Sequence, residues 1–195
     1  PDWYDAVTAA GAARFEMLGL PTNRTEAWKY TSLRSLGSIA FAAPSAAVEA
    51  VEIPRDSVAD IKGIEIVLVN GQLDESRSTL ENLPAGLAIT PLAKAVEWGN
   101  GVVKSVLEDE SAIDGLPLAA LSTAFAPRNV VWVGANAKAT LVESHVGVGE
   151  SSYFSNSVTH VTVGDEAVFH HYKLQNEARS AYHVAMTHVT CGEKV

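Results

Sequence analysis

The sequence is poor in the residues that build cross-linked or metal-clustered proteins. A single cysteine, Cys191, among 195 residues excludes an intramolecular disulfide framework. It also excludes any site assembled from several cysteines of this chain. Basic residues are scarce as well: 14 Lys and Arg stand against 23 Asp and Glu, a net charge of −9. That balance argues against nucleic acid as a partner, because general binders of the phosphate backbone gain affinity by placing cations on phosphates. No apolar run reaches the roughly 20 residues that span a bilayer, so no membrane association is expected. The start, Pro1-Asp2-Trp3, has neither the basic residues nor the apolar stretch of a signal peptide. A cytoplasmic location is the expectation. Nucleotide-binding and hydrolase signatures are missing too. Gly147-Val148-Gly149 lacks the lysine of a phosphate loop, and no Gly-x-Ser-x-Gly elbow occurs.

What is present is a chain able to build a core. Hydrophobic residues make up 47% and charged ones 19%, which excludes disorder as the dominant state. The two halves are patterned differently. Asp2 stands where it can cap a first helix, in which Trp3, Ala6, Val7 and Ala10 recur near helical spacing and which Gly19 and Pro21 stop. A short helical stretch is expected over residues 26–33. Residues 41–58 are rich in Ala, Ser and Pro and read as a connector. Residues 64–69 are a β-branched run ending at Asn70-Gly71, which predicts a strand and a tight turn. Thr90-Pro91 opens a helix towards Trp98, and residues 117–125 are a further helix candidate.

From Asn129 onward helical signals stop and the chain repeats itself. Val161-Thr162-Val163-Gly164-Asp165-Glu166-Ala167 resembles Val131-Trp132-Val133-Gly134-Ala135-Asn136-Ala137, 30 residues earlier, and Val189-Thr190-Cys191-Gly192-Glu193-Lys194-Val195, 28 residues later. Thr159-His160-Val161-Thr162 also recurs as Thr187-His188-Val189-Thr190. Self-similarity at such a period, with β-rich content, predicts stacked units that bury their apolar faces on one another. The expected fold is an α+β N-terminal domain over 1–125, followed by a mainly β domain over 126–195. The second is expected to be a right-handed parallel β-helix, a solenoid incomplete at its C-terminal end.

All six histidines, His145, His160, His170, His171, His183 and His188, fall in the repeat region. At an offset of 28, His160 stacks on His188 about one strand spacing away, which makes the pair the candidate metal site. The alternative is a ladder of polar, β-compatible side chains. His170 and His171 are adjacent, so one points inward as a hydrogen-bonded core residue and the other outward. Trp28, Tyr30 and Trp132 are read as packing residues. The acids Glu143, Glu150, Asp165, Glu166, Glu177 and Glu193 mostly fall in turns, which disfavours a paired-carboxylate active site.

The stretch Leu20-Pro21-Thr22-Asn23-Arg24-Thr25-Glu26-Ala27-Trp28-Lys29-Tyr30-Thr31-Ser32-Leu33 resembles the N-terminal signature of the SufB/SufD family of iron–sulfur cluster assembly proteins, on its SufD side. Leu68-Val69-Asn70-Gly71-Gln72-Leu73, Pro127-Arg128-Asn129-Val130, Thr140-Leu141-Val142-Glu143-Ser144 and His171-Tyr172-Lys173-Leu174-Gln175 also resemble that family. The resemblance implies an α/β region followed by a β-helix. It further implies a non-catalytic scaffold role, with SufB and the ATPase SufC as partners and an iron–sulfur cluster held at the level of the complex. No cofactor is assigned to this chain itself. In the family more chain separates the segments joined here by Phe125-Ala126-Pro127, and a C-terminal helical domain follows the β-helix. No position matches the cysteine and histidine implicated at the SufB interface, so no functional residue carries over. Self-pairing into a homodimer through the β-helix is a further expectation. The competing readings are a β-helix enzyme, such as a carbohydrate-active enzyme, and a purely structural solenoid.

Overall fold

The computed structural model describes residues 1–39, 60–108, 124–148 and 152–195, together with residues 52, 54 and 58. The expected connector over 41–58 lies almost wholly outside the described residues, as does most of the expected helix over 117–125.

Helix α1 spans Asp2–Leu18 and ends at Gly19, whose φ of 65° suits a residue without Cβ. Its N-cap is Pro1 rather than Asp2. The Asp2 and Asp5 carboxylates lie in the first turn, where they favour the positive end of the helix dipole. Trp3 and Val7 are half-buried as the spacing predicts, while Ala6 and Ala10 are exposed. The helical stretch expected over 26–33 is shorter: a 3-10 turn at Glu26–Trp28, followed by another at Leu36–Ser38. Trp28, Leu20, Leu33 and Leu36 pack together, and Leu36 is fully buried.

The strand expected over 64–69 shrinks to β1, Leu68–Val69, which pairs antiparallel with β2, Gln72–Leu73. The turn between them is as expected. Asn70 and Gly71 take φ of 51° and 77°, both in the left-handed region that a two-residue hairpin requires. A Cβ on Gly71 would also stand 2.6 Å from Phe125 Cβ, so glycine is needed there on two counts. Helix α2, Leu92–Glu97, begins one residue later than expected, with Pro91 as its cap. Helix α3, Gly101–Glu108, was not foreseen. Asn100 Oδ1 accepts hydrogen bonds from Val102 N and Val103 N at 3.1 and 3.3 Å, satisfying amides that a helix start leaves open. Val103 packs with Ala95 and Val96 of α2, against Trp3 of α1.

The second half is built from parallel strands. β3 (Ala124–Phe125) and β4 (Arg128–Val133) both pair with β6 (Phe154–Val163), and β6 pairs with β8 (Tyr182–Cys191). Ala124 and Phe125 are therefore strand, not the end of a helix. β5 (Lys138–Val146) pairs with β7 (Val168–Asn176) in a second sheet. The chain thus alternates between two parallel sheets as it runs from β4 to β8. The register repeats the sequence offsets: Val131 lies beside Val161 and Val161 beside Val189, while Leu141 lies beside His171. The recurring turn also repeats its backbone. Asn136, Glu166 and Lys194 all have positive φ, at 61°, 56° and 56°. Adjacent turns are hydrogen-bonded, Gly164 N to Val133 O and Gly192 N to Val163 O, both at 2.8 Å.

Side chains alternate across each strand. Val131, Val133, Val161, Val163, Ala167 and Phe169 meet in one apolar cluster, which fixes the odd-numbered positions as the inward face. The opposite face of the first sheet is partly covered: Phe154, Tyr182 and Val184 pack against Leu20, Trp28, Leu33 and Leu36. The segment around Trp28 therefore docks on the start of β6 and β8.

Candidate functional site

The inward face changes character along the strands. Near the Gly134 and Gly164 turns it is valine, alanine and phenylalanine. Towards the other end the same face carries Asn129, Ser155, Ser157 and Thr159 from the first sheet. The second sheet supplies Glu143, His145 and His171, with Lys173 and Gln175 at the same odd-numbered positions but exposed. A buried polar group is tolerated only when it is hydrogen-bonded, so this half of the interior is the candidate site.

Glu143 is its centre. His171 Nε2 donates to Glu143 Oε2 at 2.9 Å and His145 Nε2 to Oε1 at 3.1 Å. Lys173 Nζ lies 3.4 Å from Oε2. Burial opposes ionisation of this carboxyl and is the strongest single influence on it. The bonds from His145 and His171 and the Lys173 charge together outweigh burial and hold its pKa at about 2. Glu143 is thus an anion held by two hydrogen bonds and one ion pair.

A second carboxylate, Glu177, lies just past β7. Tyr153 OH donates to Oε1 and Gln175 Nε2 to Oε2, each at 2.9 Å. Burial and then the Glu177 contact push the Tyr153 phenol well above its usual range, so it remains a proton donor. His183 Nδ1 sits 2.9 Å from Glu177 Oε2, at ion-pair distance but misaligned for a hydrogen bond. Burial pushes the His183 pKa down; Glu177 opposes the shift and His145 adds to it. The His145 and His183 rings meet edge to face with centroids 4.5 Å apart. That contact joins the two carboxylate centres across the sheets.

The other histidines divide as the alternation requires. His171 points inward to Glu143, while His170 is exposed and stacks on Tyr172. His160 and His188 are in register on β6 and β8, with rings nearly parallel at 12° and centroids 5.3 Å apart. They stand on the outward face, where His188 Nε2 lies 3.0 Å from Met186 Sδ. Among the described residues no three His, Cys, Asp or Glu side chains form a group arranged to hold a metal ion. Cys191 is exposed at the end of β8.

Two packing expectations need correction. Trp132 is 60% exposed on the outward face of β4, because the alternation that buries Val131 and Val133 turns it out. Tyr30 is 92% exposed, and of the expected docking pair Trp28 alone packs against the core cluster. Glu143, one of the acids expected mostly in turns, lies mid-strand in β5. The signal was available: the offset of 30, carried from the turns into the strands, sets Glu143 beside Lys173.

The class is therefore a parallel-strand repeat protein with the N-terminal segment around Trp28 packed on its first sheet and an interior that is polar at one end. Two family models place it more closely. The SufBD protein N-terminal region matches residues 3–142, and the SufBD core domain of the SUF iron–sulfur cluster assembly system matches residues 117–195. The chain belongs to the SufBD family. It is similar to an iron–sulfur cluster assembly SufBD family protein of Synechocystis, with 23% identity over 224 residues covering 91% of this chain and 48% of the relative. The chain thus spans about half the length of that curated relative. No solved structure matches it.

Proposed function

We propose that this chain is a non-catalytic scaffold subunit of iron–sulfur cluster assembly, on the SufD side of its family. In this reading it pairs with a SufB-like subunit, and the SufC ATPase drives the complex in the cytoplasm. The cluster is the cargo of the assembly rather than a resident group of this chain. The observation that carries the reading is the match of both family regions along one chain. The parallel registers at offsets of 30 and 28 support a right-handed β-helix, since parallel crossovers take that hand almost without exception. The interior chemistry supports a structural role. Glu143 is already bound by His145, His171 and Lys173, and Glu177 by Tyr153 and Gln175. Affinity purification of the full-length protein from its native cell tests the proposal. Recovery of an ATPase and a second SufBD-family subunit is the expected outcome. Isolation without either, or saturable ATP binding by this chain alone in calorimetry, overturns it. When no partner is present, light scattering across a concentration series is expected to show self-association.

A further inference from the structure

We propose that the polar half of the interior is a built binding site for water, at Ser155, Ser157 and His183. Both serines point inward from β6, and they are 1% and 0% exposed. Among the described residues neither hydroxyl has a hydrogen-bond partner; His183, in the register position beside Ser155, has its Nδ1 2.9 Å from Glu177 Oε2 without an aligned hydrogen bond. A buried hydroxyl without a partner loses its bonds to water and gains nothing in return. Two on one strand would be a heavy penalty where apolar residues also fit, as Val161 and Val163 do further along the same face.

The residues around the two hydroxyls are small. Ser155 and Ser157 are small, and Ala185 on β8 stands beside Ser157. The facing sheet supplies the larger groups, Glu143 and His145. A serine hydroxyl both donates and accepts, and His183 Nδ1 serves either role depending on its tautomer. The carboxylates nearby are already bound by Lys173, Tyr153, Gln175 and two histidines. An anion would be repelled by them, so the ligand that fits is small, neutral and able to donate and accept at once. Water meets all three conditions, and a buried water typically makes about three hydrogen bonds. Placed there, it continues the contact between His145 and His183 and connects the Glu143 and Glu177 halves of the network.

Water relaxation dispersion on the full-length protein tests this, comparing wild type with the S155V/S157V double variant. The wild type is expected to hold at least one long-lived internal water that the double variant lacks. Indistinguishable dispersions overturn the proposal, and so does a rise in melting temperature in the double variant without loss of a water signal. Should the double variant fail to fold, a crystal structure of the wild type at atomic resolution decides. Water within hydrogen-bond distance of Ser155 Oγ or Ser157 Oγ supports the site, and its absence from both overturns it.

Discussion

Replacing Glu143 by glutamine keeps the shape of the side chain and removes its charge. The carboxyl has a folded pKa of about 2 against an ordinary 4.5. At about 1.4 kcal/mol per unit that difference bounds the electrostatic stabilisation at about 3.5 kcal/mol. The carboxylate is only partly shielded from solvent, so screening reduces the expected loss in Glu143→Gln to about 1–2 kcal/mol near neutral pH. The sign follows from linkage. A carboxyl whose pKa is lowered by folding stabilises the protein above its unfolded value. That stabilisation is lost as pH falls from about 4.5 towards about 2. Denaturant unfolding of wild type and variant across that window is the assay. The gap in stability should be full at about pH 6–7 and should close as the wild-type carboxyl takes up its proton. A gap of constant size at every pH, or a variant more stable than wild type near neutrality, would refute the clamp of His145, His171 and Lys173 on this carboxylate.

Phe154→Ala should cost about 3–4 kcal/mol, because Phe154 is buried among Leu33, Leu36 and Trp28. Hydrogen exchange should show protection lost around residues 28–36 before the strands open. Gly164→Ala should cost about 1–3 kcal/mol in thermal unfolding: its Cβ would meet Ala135 N at 2.7 Å, and backbone in the adjacent turn cannot rotate away. The pKa of His183 is lowered on folding, chiefly by burial, so the unfolded chain takes up the proton first as pH falls below about 6.5. Wild-type stability should therefore decline below that pH, and His183→Asn should flatten the decline. An unchanged slope in the variant would count against a buried neutral imidazole.

Much of the parallel half was legible because a repeated turn is a local signal. Gly134, Gly164 and Gly192 are each followed two residues later by a residue with positive φ, and the spacing alone gave the strand register. His160 beside His188 followed from that spacing without any knowledge of side-chain partners. The polar interior was not read, because it needs two facts together. The alternation must be assigned to an inward face, and the two sheets must be set facing each other. Glu143 and His145 lie two residues apart, but His183 comes from a strand almost forty positions later and in the other sheet. The N-terminal region was less legible for a different reason. Its short turns are stabilised by where Trp28, Leu33 and Leu36 dock, so local propensity for a helix over 26–33 yields to packing on Phe154. Helix α3 had a cap in Asn100 and an apolar pattern in Val102, Val103 and Leu107, but the glycines at 99 and 101 masked its start.

The polar interior also bears on how β5 and β7 find their register. An apolar ladder tolerates a two-residue slip, because valine or leucine still meets an apolar neighbour. Here a two-residue slip would place Glu143 beside His171 or Gln175 instead of Lys173 and would separate His145 from His183. A one-residue slip would turn Glu143 out of the interior and bring Ser144 in. Glu143 and Lys173 are thus placed to act as a register lock, which a charge exchange can measure. Glu143→Lys sets two lysines side by side on β5 and β7 and should cost more than Glu143→Gln. Lys173→Glu sets two carboxylates together and should be similarly costly. With both exchanges in one chain the attraction is restored, although the hydrogen bonds from His145 and His171 to position 143 are not. The double variant should therefore fall short of wild type yet be more stable than the sum of the single losses predicts, by about 1–2 kcal/mol. Strict additivity of the two losses in denaturant unfolding would mean that the pair contributes nothing to the register, and that the interior is held by the histidine bonds alone.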